Sequence, residues 1–268
     1  MLDLPRKSLL GAMLSLSLVG CNSDSDKKEE DTSADSRLTL SIAHVNDHHS
    51  QLEPFAGTSM RLDGKDMQVE LGGFSRLTTL FAEAEEQFPN LIKLHAGDAI
   101  TGTLYYTFYQ GEADAQMMNT VCFDAFALGN HEFDDSDEGL KTFLESLASD
   151  ECNTPVLAAN VKPAVGTPLA PAAEDDYIKP YTIKEVDGQK VGIIGIDIKG
   201  KTQNSSRPLN STVFLDETQA AQDAIDDLKE QGVEHIVLLT HQGYENDKTI
   251  AAKLAGVDVI IGGDSHSL

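Results

Sequence analysis

Five apolar runs in this chain each end in a loop of Asp, His or Asn. Leu38-Thr39-Leu40-Ser41-Ile42 alternates with period two and leads into Asn46-Asp47-His48-His49. Leu91–Ala96 leads into Gly97-Asp98, and Phe123–Leu128 into Gly129-Asn130-His131-Glu132-Phe133-Asp134. His235–Thr240 runs into His241, and Val257–Ile261 into Gly262-Gly263-Asp264-Ser265-His266. Such runs read as strands. An α/β sheet collects ligands at the carboxyl ends of its strands, so donors more than 200 residues apart in sequence are expected to meet at one edge.

The intervening stretches read as helices. Between Gly73 and Phe88, the residues Phe74, Leu77, Leu80, Phe81, Ala84 and Phe88 share one helical face. Leu140, Phe143, Leu144 and Leu147 mark a second helix, Thr218–Gln231 a third, and Lys248–Leu254 a short fourth. Val156–Val161 reads as a strand. Thr182–Val186 and Lys190–Ile196 flank Asp187-Gly188, a hairpin signal that makes the sheet mixed. Ala164–Pro180, rich in Pro, Ala and acids, reads as a surface loop.

The N-terminus reads as an address. Arg6 and Lys7 precede an apolar run from Ser8 to Gly20, which is short for a membrane span and suits a secretory signal over residues 1–20. The run ends in Leu18-Val19-Gly20-Cys21, which resembles the bacterial lipoprotein motif and implies a lipid on Cys21. The alternative is a buried or membrane helix with an incidental Cys. Residues 22–37 hold no large apolar side chain and read as a solvated tether, leaving 38–268 as the folded domain. Export to the cell envelope, periplasm or outer membrane, is the expected localisation. Cys122 and Cys152 each precede a strand with a helix between, so they form either a disulfide at one sheet edge or two buried thiols.

A net charge of −24 argues against non-specific binding of nucleic acid or anionic lipid. A phosphorylated substrate would then need a local positive centre, which a metal supplies. The donors are Asp, His and Asn with no thiolate, which suits Mn, Zn, Co, Ni or Fe. Six or seven donors exceed what one open-sited ion needs, and two ions sharing a carboxylate are standard for hydrolysis at phosphorus.

Asp47-x-His49, Gly97-Asp98, Gly129-Asn130-His131-Glu132-Phe133-Asp134, His241 and Gly262-Gly263-x-Ser265-His266 together resemble the calcineurin-like metallophosphoesterases. The closer resemblance is to the bacterial 5′-nucleotidase/UDP-sugar hydrolase family, from about Leu38 to the last residue. It implies a four-layer α/β/β/α sandwich with mixed sheets. It also implies two divalent ions (Mn, Zn, Co or Mg), with Asp47, His49 and His266 on the first, Asn130, His241 and Asp264 on the second, and Asp98 bridging. His131 would stabilise the transition state or protonate the leaving oxygen, Asp134 would orient it, and Asn130 with His131 would take up the developing charge. The implied reaction is removal of a nucleotide 5′-phosphate by attack of metal-activated water. The alternatives are an NAD or UDP-sugar pyrophosphatase, a cyclic nucleotide phosphodiesterase, or a non-catalytic fragment.

Other polar residues read as structural: His44, His95 and His235 within or beside strands, His48 pointing off the site, and Glu132 as support. Two departures from the family pattern stand out. Many members carry His where this chain has Asp264, and the third carboxylate leaves two divalent ions at about +1 instead of +2, which favours Mn or Mg. The resemblance also implies further strands, a helical linker and a nucleoside-binding domain beyond Leu268, so the domain is expected to be incomplete at its C-terminus.

Overall fold

A computed structural model describes residues 38–148 and 152–267 of the chain. The signal, Cys21 and the tether lie outside the described residues. The first half runs β1 (Ser41–Val45), a hairpin of β2 (Phe55–Leu62) and β3 (Lys65–Leu71), α1 (Phe74–Gln87), and β4 (Leu91–His95). Next come α2 (Leu104–Tyr109), α3 (Glu112–Asn119), β5 (Ala125–Ala127), a 3-10 turn (His131–Phe133), α4 (Ser136–Leu147), β6 (Val156–Leu157) and β7 (Val161–Pro163). The second half runs β8 (Tyr181–Val186), β9 (Gln189–Asp197), α5 (Lys199–Ser205), β10 (Thr212–Phe214), α6 (Glu217–Glu230), β11 (His235–His241), α7 (Tyr244–Ala251) and β12 (Val259–Gly262).

Two four-stranded sheets carry the domain. One has the order β1-β4-β5-β6 and is parallel throughout. The other has the order β12-β11-β9-β8 and is mixed, because β8 returns antiparallel to β9 through the Asp187-Gly188 turn. Side chains alternate across each strand, and that decides the layers. Ile92 and Leu94 of β4 meet Val191 and Ile193 of β9 and Val237 and Leu239 of β11 in one buried cluster between the sheets. On the outer face of the first sheet, Phe126 packs with Phe74 and Phe81 of α1, Met118 of α3 and Phe143 of α4. On the outer face of the second, Ile194, Ile196, Ile236 and Leu238 pack against Ala221, Ile225 and Leu228 of α6 and Ile250 of α7. Each fully buried Leu, Ile or Phe contributes about 1.5–3 kcal/mol. The expected four-layer α/β/β/α sandwich is the observed one.

The sheets approach closely at Gly195, where a Cβ would run into the backbone of Leu157. There the Ala159 N–H donates to Gly195 O at 2.8 Å, tying the layers together. The strand expected at Val156–Val161 is broken at this place. β6 stops at Leu157, and Asn160 turns the chain by donating from Nδ2 to Asp197 O (2.8 Å) and accepting from Asp197 N (3.0 Å). β7 then pairs antiparallel with β10, outside both main sheets. The segment 164–180 holds no long element, as expected, but it is not confined to the surface: Leu169, Ala170 and Ile178 are buried.

Cys122 and Cys152 form a disulfide, with Cα atoms 5.1 Å apart at a sequence separation of 30. They flank α4 at the amino ends of β5 and β6, neighbours in the parallel sheet. Closing a loop of this length restricts the unfolded chain and stabilises by about 3 kcal/mol. Cys152→Ser is therefore expected to lower the melting temperature by roughly 5–10 °C, read by circular dichroism. An unchanged melting temperature would show that the bridge contributes nothing.

Candidate metal centre

The loops after β1 and β4 are joined by backbone bonds that continue the parallel pairing past the strand ends. Ala96 N donates to Val45 O (2.8 Å), Asp47 N to Gly97 O (2.9 Å), His49 N to Asp98 O (3.2 Å) and Ser50 N to Ala99 O (2.9 Å). Five of the seven expected ligands sit in left-handed backbone: Asp47 (φ 51°), His49 (46°), Asp98 (54°), Asp264 (77°) and His266 (49°). Such conformations cost on the order of 1–3 kcal/mol each for non-glycine residues and persist only where surroundings fix them. Glu132 supplies much of that fixing. Its buried carboxylate accepts from Gly129 N (2.7 Å), Asp98 N (2.9 Å) and Ala99 N (2.8 Å), gripping the β4 loop from below. Burial and the nearby Asp98 charge push Glu132 up to about 7, against the pull of those backbone donors. The supporting role read from the sequence fits this geometry.

The structure brings the expected ligands to one place. Donor atoms of Asp47, His49 and His266 lie within 4.8 Å of one another, as do those of Asp47, Asp98 and His241. His266 Nε2 is 3.3 Å from Asp47 Oδ1, and His241 Nε2 is 2.9 Å from Asp98 Oδ2. Asp264 Oδ1 lies 3.8 Å from His241 Nε2, and Asn130 lines the same cavity. Neighbours orient two of the donors. His241 Nδ1 donates to Ala96 O across the sheets (2.7 Å), which turns Nε2 toward the carboxylates. Asp264 N donates to Asp47 Oδ2 (3.0 Å), leaving Oδ1 for the site.

Three observations fit this set to divalent cations. Asp47 Oδ1 and His241 Nε2 are buried without an aligned hydrogen-bond partner. Three carboxylates crowd His241 Nε2: burial pulls His241 down, yet the Asp98 hydrogen bond and the Asp98 and Asp47 charges push it up to about 10. Burial raises Asp98, and the His241 imidazole outweighs it, so Asp98 ends below its ordinary range. A proton on His241 and a metal ion compete for the same place, so metal affinity here falls as pH falls. No Cβ would fit at Gly97 or Gly263, where it would strike His241.

His131 and Asp134 lie beside this cluster. His131 Nδ1 and Asp134 Oδ2 are 2.6 Å apart, and Ser206 Oγ donates to Asp134 Oδ1 (2.8 Å). The Asp134 hydrogen bond raises His131 above its ordinary value against the effect of burial. His131 N donates to Asp98 Oδ1 (2.9 Å), and a ring nitrogen falls within 4.8 Å of His49 and Asp98 donors.

His48 points away from the site, as expected, and joins a buried relay. His48 Nδ1 and His95 Nε2 are 2.9 Å apart, His48 Nε2 lies 3.2 Å from Asp114 Oδ1, and Ser50 Oγ donates to Asp114 Oδ2 (3.0 Å). His235 bonds Gln189 Oε1 at 2.9 Å, also a structural contact. Sequence reasoning missed Asp114, Ser206, Asp197 and Lys201. Asp197 ends β9 just as the ligands end their strands, and burial pushes it up to about 8. That terminal position was its readable signal. Lys201 Nζ pairs with Asp264 Oδ1, and nothing in the sequence marked it.

Residues 40–268 match the calcineurin-like phosphoesterase family. The chain belongs to that family. Its members use divalent metals, which agrees with the donor chemistry above. The chain is 45% identical over 240 residues to an NAD 5′-nucleotidase of Haemophilus influenzae, covering 90% of this chain and 38% of that protein. It is 40% identical over 265 residues to a probable 5′-nucleotidase of Treponema pallidum, covering 99% of this chain and 42% of the relative. The solved structure of the Haemophilus influenzae NAD nucleotidase superposes with a TM-score of 0.78 at 47% identity, covering 85% of this chain and 39% of that one. The chain thus spans about two fifths of these relatives' length.

Proposed function

We propose that this phosphoesterase chain carries the metal-binding and catalytic residues of a hydrolase that removes the 5′-phosphate from nucleotides. One observation carries the reading: seven Asp, His and Asn donors from five strand ends converge beside a histidine that a carboxylate orients. Asp47, His49 and His266 would hold one ion, and Asn130, His241 and Asp264 the other, with Asp98 shared. Bound divalent ions (Mn, Zn, Co or Mg) supply positive charge for the phosphoryl oxygens and a more acidic water. The Asn130 amide donates to the phosphoryl group. His131 is held by Asp134, which is itself fixed by Ser206, and passes a proton to the leaving oxygen. The relatives named as 5′-nucleotidases support a nucleotide substrate. The 45% identical relative supports a second reading, cleavage of the NAD pyrophosphate at the same residues.

For location, residues 1–37 support export and a lipid anchor on Cys21 in the bacterial envelope, and the Cys122–Cys152 bridge is in keeping with an oxidising compartment. Among the described residues no helix is long and apolar enough to cross a membrane.

The test is phosphate release from AMP, with NAD as competing substrate, before and after chelation. Phosphate from AMP that vanishes with chelator and returns with Mn supports the first reading, and AMP plus nicotinamide mononucleotide from NAD supports the second. No metal-dependent hydrolysis of either would overturn both. Within this reading His131→Ala is expected to keep its metal while kcat falls about 10²–10⁴-fold. Asp134→Asn should lower the His131 pKa, moving the alkaline limb of the pH profile to lower pH. Unaltered kcat in His131→Ala would remove His131 from the mechanism.

A further inference from the structure

Lys201 is the single Lys or Arg among the described residues lining the cavity of about 250 Å³ at the centre, which His49, Asn130, His131, Asp264 and His266 share. In a chain of net charge −24 that placement is unusual. Its helix is anchored beneath it: the buried Thr202 donates from Oγ1 to Asp197 Oδ2 and to Ile198 O, each at 2.7 Å, and Lys199 N donates to Glu217 Oε1 (3.1 Å). The Lys201 side chain is 48% exposed and rests on Asp264 Oδ1. That oxygen also faces His241 Nε2, 3.8 Å away.

Asp264 is the carboxylate that adds a negative charge to the donor set. Lys201 returns it, so the set with two divalent ions carries about +2 again. An ammonium has three donors, and one carboxylate oxygen does not use them all. We propose that Lys201 is a substrate-binding residue whose ammonium takes a non-bridging oxygen of the phosphoryl group, resting on Asp264 until phosphate arrives. This rests on the reading of the site as a phosphoester hydrolase. It also removes the charge argument for a preference for Mn or Mg.

The experiment uses the full chain loaded with Mn, with wild type, Lys201→Gln and Lys201→Arg compared. Metal content, binding of inorganic phosphate by calorimetry, and kcat and KM for AMP and p-nitrophenyl phosphate are measured. Loss of one charge-assisted hydrogen bond predicts phosphate binding about 10–100-fold weaker in Lys201→Gln at unchanged metal content. The two substrates should lose kcat/KM alike, since both carry the phosphoryl group, and Lys201→Arg should recover most of the loss. Unchanged phosphate affinity in Lys201→Gln overturns the proposal. So does a fall in metal content while the loaded fraction binds phosphate as wild type, because Lys201 would then serve the ligand Asp264 alone. Wild type binding no phosphate also overturns it. Wild type that binds phosphate but hydrolyses neither ester defeats the functional reading, and the phosphate affinities still decide Lys201.

Discussion

Asp98→Ala is expected to lose bound metal and turnover together. Asp98 belongs to two of the three donor groups and is buried, with Oδ2 2.9 Å from His241 Nε2 and Oδ1 accepting from His131 N at 2.9 Å. Removing it would take away the ligand that the proposed reading shares between two ions, a negative charge in the donor set, and the acceptor that seats the His131 turn. Loss of an outer partner of a metal ligand typically costs about 10–100-fold in affinity, and loss of a direct ligand, as proposed for Asp98, should cost more. Metal content after desalting and phosphate release from AMP give the two readouts. Asp98→Asn separates the causes, since the amide keeps an acceptor for His131 N while losing the charge. Metal retained at wild-type occupancy in Asp98→Ala would remove Asp98 from the centre.

Glu132→Ala should be the most destabilising single change near the site. It strips the acceptor from four N–H groups, those of Gly129, Asp98, Ala99 and, at 3.3 Å, Ile100. A buried donor left unpaired costs about 1–3 kcal/mol, so a total of about 3–5 kcal/mol is expected even with water entering the space. Glu132→Gln keeps one acceptor oxygen but turns an NH₂ toward the same donors, and should fall between. Urea unfolding measures the loss. A change below about 0.5 kcal/mol, ordinary for an uninvolved surface position, would show that Glu132 does not hold the loop. The functional corollary is weaker metal binding, because Asp98 would lose the support for its left-handed backbone.

The donor residues were legible because all seven sit at or just past the ends of five strands, so the apolar runs locate strand and ligand together. The layers came from the family resemblance: Ile92 and Leu94 alternate with Lys93 and His95, a pattern that marks one apolar face, whereas the structure buries both faces of β4. The β2–β3 hairpin escaped notice, although Asp63-Gly64 (φ 49° and 75°) is a hairpin turn signal. Its strands are almost wholly exposed, so no apolar alternation flagged them. The break after Leu157 was hidden because Ala158 and Ala159 are apolar like the strand before them; the Asn160 bonds to Asp197 that turn the chain are tertiary. Lys201 was invisible for a similar reason, since its meaning comes from a partner 63 residues away.

The donors are divided between the two sheets. Asp47, His49, Asp98 and Asn130 follow strands of the parallel sheet, whereas His241, Asp264 and His266 follow strands of the mixed one. A cation held by both groups would be a clasp across a seam, drawing the two layers together at their carboxyl ends. Its binding energy would then be resistance to the layers sliding apart, and the thickness of the apolar filling between them would set the gauge of the clasp. A methyl group added at Gly195, where the layers already touch, would act on the metal from a distance by wedging the seam. Selection for a fixed metal spacing would in this way be written into residues that never approach the ion.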